Sequence, residues 1–510
     1  MVLASAAVIV ALANPAQSNQ LGTVNFPTSC SSAVQPTIER AVALLHSFQY
    51  EEAAQAFDDA GNRDRSCAMC HWGKAMTLYH QLWDWPNADT LQKGRREIAD
   101  AQRVGAKTAR ERGYLAAAAA FFNGPSGAGH ASRIRAYSRQ MAAMHRQFPD
   151  DGDATAFYAL SLIALANEHV DTQINLRHAI DLLTPLFHQQ ANHPGAAHYL
   201  IHAADRPGLA PFGLEAAKAY AEIAPDSSHA LHMPSHIFVR LGMWQETIGT
   251  NIRAAAAGKQ TALENRGDYT YQVHAIDYMN YAYLQLGKGS SARALLDDLN
   301  DVPTASDKEK ASDRAYSAGH AAIEEHRWSD AAALALPALD ITWLKDAYWA
   351  RAIGAARSGD VAAARNNLVK YRESLRESRD RDVMSVQQME AEAWVSFAGG
   401  NVTRALRLLR RAAEREATEG GDEVSVPARE MVADLLFELK RPREALNAYE
   451  MVLKAAPNRF DAVLGAARAA EALNINNVAV QHYRQLLSVA APDADRPELE
   501  TVRAYLAAVR

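Results

Sequence analysis

Near its C-terminus the sequence matches itself at an offset of 34 residues: Ala445, Tyr449 and Leu453 recur as Ala479, Tyr483 and Leu487. A period of that length holds one helix, a turn and a second helix. Pro457 closes the first unit where a proline stops a helix. One such hairpin cannot bury its apolar face alone, so neighbours must stack. The expected fold is therefore all-α, an α-solenoid of stacked antiparallel helix hairpins. Composition agrees. Alanine runs at residues 116–120 and 254–257 favour helix, and Val, Ile and Thr never gather into alternating strand-like runs.

A looser rule extends along the chain. A turn residue ends one helix and a small residue follows five positions later, in Gln49/Ala54, Gly287/Ala292, Arg327/Ala332, Gly359/Ala364, Gly400/Ala405, Lys440/Ala445 and Asn474/Ala479, with Gly242/Thr247 a weaker member. The two helices of a hairpin touch near their turn, where only a small side chain fits. In the second half the turns lie 32 to 45 residues apart. The units are thus degenerate tetratricopeptide-like repeats rather than a uniform array. The polar stretch 301–313 reads as a soft boundary between an N-terminal domain over 30–300 and C-terminal repeats over 313–510.

Residues 1–20 read as a signal peptide: Met1 to Ala13 are apolar or small, too short to span a bilayer, and followed by small-residue cleavage sites. A periplasmic or secreted protein is expected. No other stretch is apolar enough for an integral membrane segment. The net charge of −6 argues against a nucleic-acid binder that neutralises phosphates. Three cysteines exclude a disulfide framework.

The chain has 18 histidines, six of them within residues 193–236. His198, His202 and Asp205 stand at i, i+4 and i+7, on one helix face. His193 precedes Pro194 and approaches from the turn. His229, His232 and His236 stand at i, i+3 and i+7, with Pro234 marking a helix start. His274 and Asp277 repeat an i, i+3 pair. Neutral imidazole is the commonest protein metal ligand, and such a set suits zinc, copper, iron or nickel rather than calcium or magnesium. The proposed ligands are His198, His202, Asp205, His229, His232 and His236, with His193, His274 and Asp277 as additional candidates. The alternatives are a buried polar network and metal-free acid–base chemistry.

Cys67, Cys70 and His71 form CxxCH, the attachment pattern of c-type haem. The helical context, with Trp72 and Gly73 at packing positions, favours buried thiols or a disulfide from Cys30 to Cys67 or Cys70. The aromatic run from Tyr79 to Pro86 reads as a packed helix end, with a pocket wall as the alternative. Arg404, Arg407, Arg410 and Arg411 read as the solvated face of a repeat helix.

The segments CAMCHWGKAM (67–76), HPGAAHYLIH (193–202) and HALHMPSHIF (229–238) resemble exported bacterial tetratricopeptide-repeat proteins, a largely uncharacterised family. The resemblance covers about residues 30–290 and implies fold and compartment, but no activity. The function expected is binding of a partner protein, peptide or small ligand on the concave face, with a His/Asp transition-metal site in the N-terminal half. A metal-dependent hydrolase or oxidase using the same histidines, a haem c protein and a pure scaffold are the alternatives.

Overall fold

The computed structural model describes residues 20–125, 127–264, 269–376, 384–419 and 424–509. The expected signal peptide falls almost wholly on residues 1–19, outside the described residues. Helices run from Gln35–His46 to Glu498–Ala508, and the described residues contain no strand. Successive helices pack against one another, as Trp244–Leu263 does on Thr270–Gln285 and Val386–Ala398 on Val402–Glu419. The architecture is a tetratricopeptide-like α-solenoid.

The turn rule has one physical basis at the turns named above. A residue in the left-handed region ends the first helix at Gly242, Gly287, Gly359, Gly400, Lys440 and Asn474. Its amide and the next one bond back to the last helical turn, as Gly287 N to Leu284 O at 3.0 Å and Lys288 N to Tyr283 O at 2.9 Å. This is the Schellman arrangement, which satisfies carbonyls that a helix end leaves open. Five residues on, Thr247, Ala292, Ala364, Ala405, Ala445 and Ala479 are fully buried. Two pairs need correction. The left-handed residues are Phe48 and His326, not Gln49 and Arg327. The buried small residues are accordingly Ala53 and Ala331, not Ala54 and Ala332. The five-residue spacing holds, and the register shifts by one.

One apolar core spans Leu21 to Phe238 and a second spans Ala322 to Val502, with smaller clusters between them. The last repeats return to the middle of the chain. Ala491 N donates to Leu286 O at 2.9 Å, Asp495 N to Gly287 O at 2.8 Å, and Trp244 Nε1 to Asn458 O at 3.0 Å. Arg459, fully buried, bonds Glu430 at 2.7 and 2.8 Å, Glu324 at 2.7 Å, and the Tyr281 hydroxyl. At the other end, Phe26 stacks on Trp72 and a Cys30–Cys67 disulfide ties down the N-terminal segment. Thr23 N then donates to Asn192 O at 2.8 Å, bracing the turn that carries His193. The basic residues Arg404, Arg407, Arg410 and Arg411 lie on an exposed face.

Candidate metal centre

Three neighbouring units supply the histidines. Helix Pro194–Ala204 starts on proline and is capped by His193, whose Nδ1 accepts from Ala196 N at 3.2 Å. His198 and His202 therefore project from one face, one turn apart. Ser227 caps the five-residue helix Ser228–His232, and Pro234 starts the next helix, Pro234–Arg240. Helix Thr270–Gln285 brings His274.

The side chains gather as two groups of three, His198/His202/His229 and His232/His236/His274, and within each group one ring nitrogen per residue lies within 4.8 Å of the others. In the first, His198 Nε2 is 3.0 Å from His229 Nε2 and 3.1 Å from His202 Nε2. In the second, His232 Nε2 is 3.0 Å from His236 Nε2.

Hydrogen bonds on the opposite side of the rings assign the protons. His198 Nδ1 donates to the His46 carbonyl at 2.6 Å. His232 Nδ1 faces Asn251 Oδ1 at 2.7 Å, and Asn251 Nδ2 donates to Thr247 O, which fixes the amide orientation. His236 Nδ1 lies 3.1 Å from Asp205 Oδ2, a carboxylate that can only accept. His198 and His232 therefore carry their proton on Nδ1 and their lone pair on Nε2, whereas His236 Nδ1 faces both the Asp205 carboxylate and the Tyr278 hydroxyl at 3.0 Å. Burial, reinforced by neighbouring imidazoles, holds His198, His202, His229 and His232 well below the usual histidine range, so these rings are neutral. Neutral His198 and His232 thus each present an Nε2 lone pair, 3.0 Å from His229 Nε2 and His236 Nε2, which either a neighbouring N–H or a bound metal ion satisfies. An ion bound at about 2.0–2.1 Å sets nitrogen separations of about 3.3 Å in a tetrahedral arrangement. The donor set and its spacing fit a transition metal, and the pinned Nδ1 atoms are the outer-shell pattern such ligands show.

Several expected ligands have other roles. Asp205 is not in either group: its carboxylate accepts from His236 and from Arg240 at 2.9 Å. Those two partners outweigh burial and keep it well below the usual carboxylate range. Its place is behind the ligands, orienting His236. His193 Nε2 lies 3.3 Å from Asp153, beside His46 Nε2 at 2.9 Å. The two imidazoles overcome the burial of Asp153 and hold its carboxyl below the usual range. His46, Asp153 and His193 are a third, fully buried group with donor atoms within 4.8 Å of one another, so His193 sits in a set that could itself hold a metal, and the same triplet fixes His46, whose carbonyl orients His198. Asp277 accepts from Ser317 at 2.8 Å and joins neither group. His274, named only as an additional candidate, completes the second one.

A cavity of about 450 Å³ opens beside both groups, lined by His202, His229, His236 and His274 together with Trp83 and Arg206. The aromatic run of residues 79–86 divides its roles. Tyr79 is buried against Phe121, whereas Trp83 is 45% exposed and lies 6.0 Å from His202 and 5.9 Å from His229 by ring centroids. Phe48, Asn251, His46 and Asp153 carry no mark in the sequence that ties them to the site. Phe48 is the bulky left-handed turn residue, with φ 56°, and its ring meets His198 edge-on at 4.4 Å.

Gly195 is tight against the same network: a Cβ there would lie 2.4 Å from His46 Nδ1. Gly195→Ala is expected to cost about 1–3 kcal/mol as an overpacked site. An unchanged thermal midpoint would show that the His46 ring is not held in place.

Haem attachment does not fit. Cys67 Sγ is engaged with Cys30, Cys70 is a buried free thiol pushed up to about 12 by burial, and His71 Nδ1 is 2.7 Å from Glu97. Two thioether bonds require both thiols, and Cys67 is already bonded to Cys30; the Nδ1 contact of His71 is no obstacle by itself.

The fold defines a helical-repeat protein of the tetratricopeptide-like type. No protein-family model matches the sequence, and no curated protein matches it. Solved structures similar to this chain include the human IFIT1 dimer with PPP-AAAA, at 12% identity and a TM-score of 0.37, covering 88% of this chain and 89% of that one. Yeast Tom70 is similar at 12% identity and a TM-score of 0.36, covering 94% and 96%.

Proposed function

We propose that this chain is a transition-metal-binding repeat protein that exposes its metal to a small ligand in the adjoining cavity. The observation that supports this most is the convergence of His198, His202 and His229 through Nε2, with His198 Nδ1 held by a carbonyl. Zinc, copper and iron suit such a set. The concave face of the solenoid is the surface for a partner protein or peptide, as in other repeat proteins. The Cys30–Cys67 disulfide supports the reading of an exported protein of the bacterial family named above, since such bonds persist in oxidising compartments. The cavity also favours a second reading, a metal-dependent hydrolase or oxidase, because it reaches the ligands directly and leaves room for water or substrate.

Elemental analysis of purified, untagged protein after reconstitution tests the metal. At least one equivalent of zinc, copper or iron is expected, and His202→Ala should weaken its retention. Only trace metal in the folded wild type would overturn the reading and leave the histidines as a polar core.

A further inference from the structure

The cavity wall takes two histidines from each group, His202 and His229 from one and His236 and His274 from the other. The groups are adjacent, with ring centroids 6.3 Å apart for His202 and His236 against 6.2 Å for His202 and His229 within one group, and what divides them is that the ring nitrogens converge within 4.8 Å only inside each group of three. Each group has its own outer support. The His46 carbonyl holds the first, and Asn251 and Asp205 hold the second. The five-residue helix Ser228–His232 divides its two histidines, sending His229 to one group and His232 to the other. Six imidazoles arranged this way are too spread for one ion. Three nitrogens on each of two ions leave open coordination positions, and the shared cavity is the space into which those positions face.

The charges around that cavity are asymmetric. Asp205 is already committed to His236 and Arg240. The adjoining cation, Arg206, donates to the Asp205 carbonyl at 2.8 Å and to Asn167 Oδ1 at 3.1 Å, both neutral oxygens. Its Nε is buried and makes no hydrogen bond. Two divalent ions beside this guanidinium would make a strongly positive chamber, walled on one side by Trp83.

Building on the metal-binding function proposed above, we infer that the histidines hold two metal ions, one per three-histidine group, and that the cavity binds a small anionic ligand, a carboxylate or oxyanion, between the ions and Arg206. The ligand contributes oxygens to the open metal positions and accepts from the guanidinium. Its apolar part, where it has one, packs on Trp83.

Cobalt(II)-loaded full-length protein tests both parts, with azide as the anion probe. The expected result is two equivalents of cobalt in the wild type and one in each of His274→Ala and His202→Ala. His274 is exposed and His202 only partly buried, so both variants should fold. Arg206→Gln should retain two equivalents while azide affinity, read from the cobalt absorption bands, falls about tenfold or more, the size of a lost charge-assisted hydrogen bond. One equivalent in the wild type would overturn the paired centre while leaving metal binding intact. No cobalt at all would overturn the proposed function itself. Two equivalents with azide affinity unchanged in Arg206→Gln would overturn the anion site.

Discussion

Metal-free protein is expected to lose stability steeply as the pH falls below about 6.5. Burial lowers His46, His198, His202, His229 and His232 in the folded state. Above the unfolded value both states are neutral and nothing changes. Below it the unfolded chain takes up protons that the folded chain refuses, so stability falls with pH until the folded values are reached. Glu416, pushed up to about 7 by burial, acts in the opposite sense over the same window, because the folded state holds its proton. The lowered histidines outnumber such groups, so the net effect is a loss of stability as the pH falls, at most about 1.4 kcal/mol per pH unit for each group. On the alkaline side His326, raised to about 9 by Asp434 despite its burial, favours folding up to neutral pH and loses that contribution as the pH climbs through 9. Chemical denaturation at a series of pH values measures this. A flat profile between about pH 5 and 7 would mean that the histidine cluster is hydrated rather than buried. Saturating metal should counter the acid loss, adding about 4 kcal/mol at a thousandfold excess over its dissociation constant.

Arg459→Ala is expected to cost about 3–5 kcal/mol, the penalty for breaking a buried ion pair from one side. The substitution strands Glu324 and Glu430, which are 3% and 1% exposed, without their cation. It also frees the Tyr281 hydroxyl, which the same guanidinium holds. Urea unfolding with Arg459→Ala beside a combined Arg459→Met, Glu324→Gln and Glu430→Gln variant separates the causes. The triple variant should recover part of the loss, since it removes the uncompensated charges. A loss below about 1 kcal/mol in the single variant would place the network in water-like surroundings.

The helical hairpins were legible because their signals are local. A left-handed residue and a small residue five positions on are visible in any unit, and the 34-residue match needs no structure. Where the turn residue is Phe48 or His326 the register slipped by one, since neither side chain advertises a positive φ. The histidine segments were equally visible, because i, i+3 and i+4 spacings report a shared helix face. Their grouping was not. Whether His229 joins His198 or His232 depends on how three helices pack, and Pro234 breaks the segment between His232 and His236 so that helical phase no longer carries across. Asp205 has the right spacing for a ligand, but Arg240, 35 residues away, claims it together with His236. His46 and Asn251 act through single hydrogen bonds at long range in the sequence, which leave no periodic trace.

The return of the last repeats onto Gly242–Gly287 has a consequence for how this chain varies in length. An open array gains or loses a unit freely, because each unit meets only its neighbours. Here Asn458 must reach Trp244, and Ala491 must reach Leu286. The number of hairpins between those points is a closure condition, like the number of staves in a barrel. Duplication or deletion of one unit in that interval would carry Arg459 away from Tyr281 and open the ring. Insertions should therefore be tolerated only in the connecting loops, and the two halves are expected to unfold together.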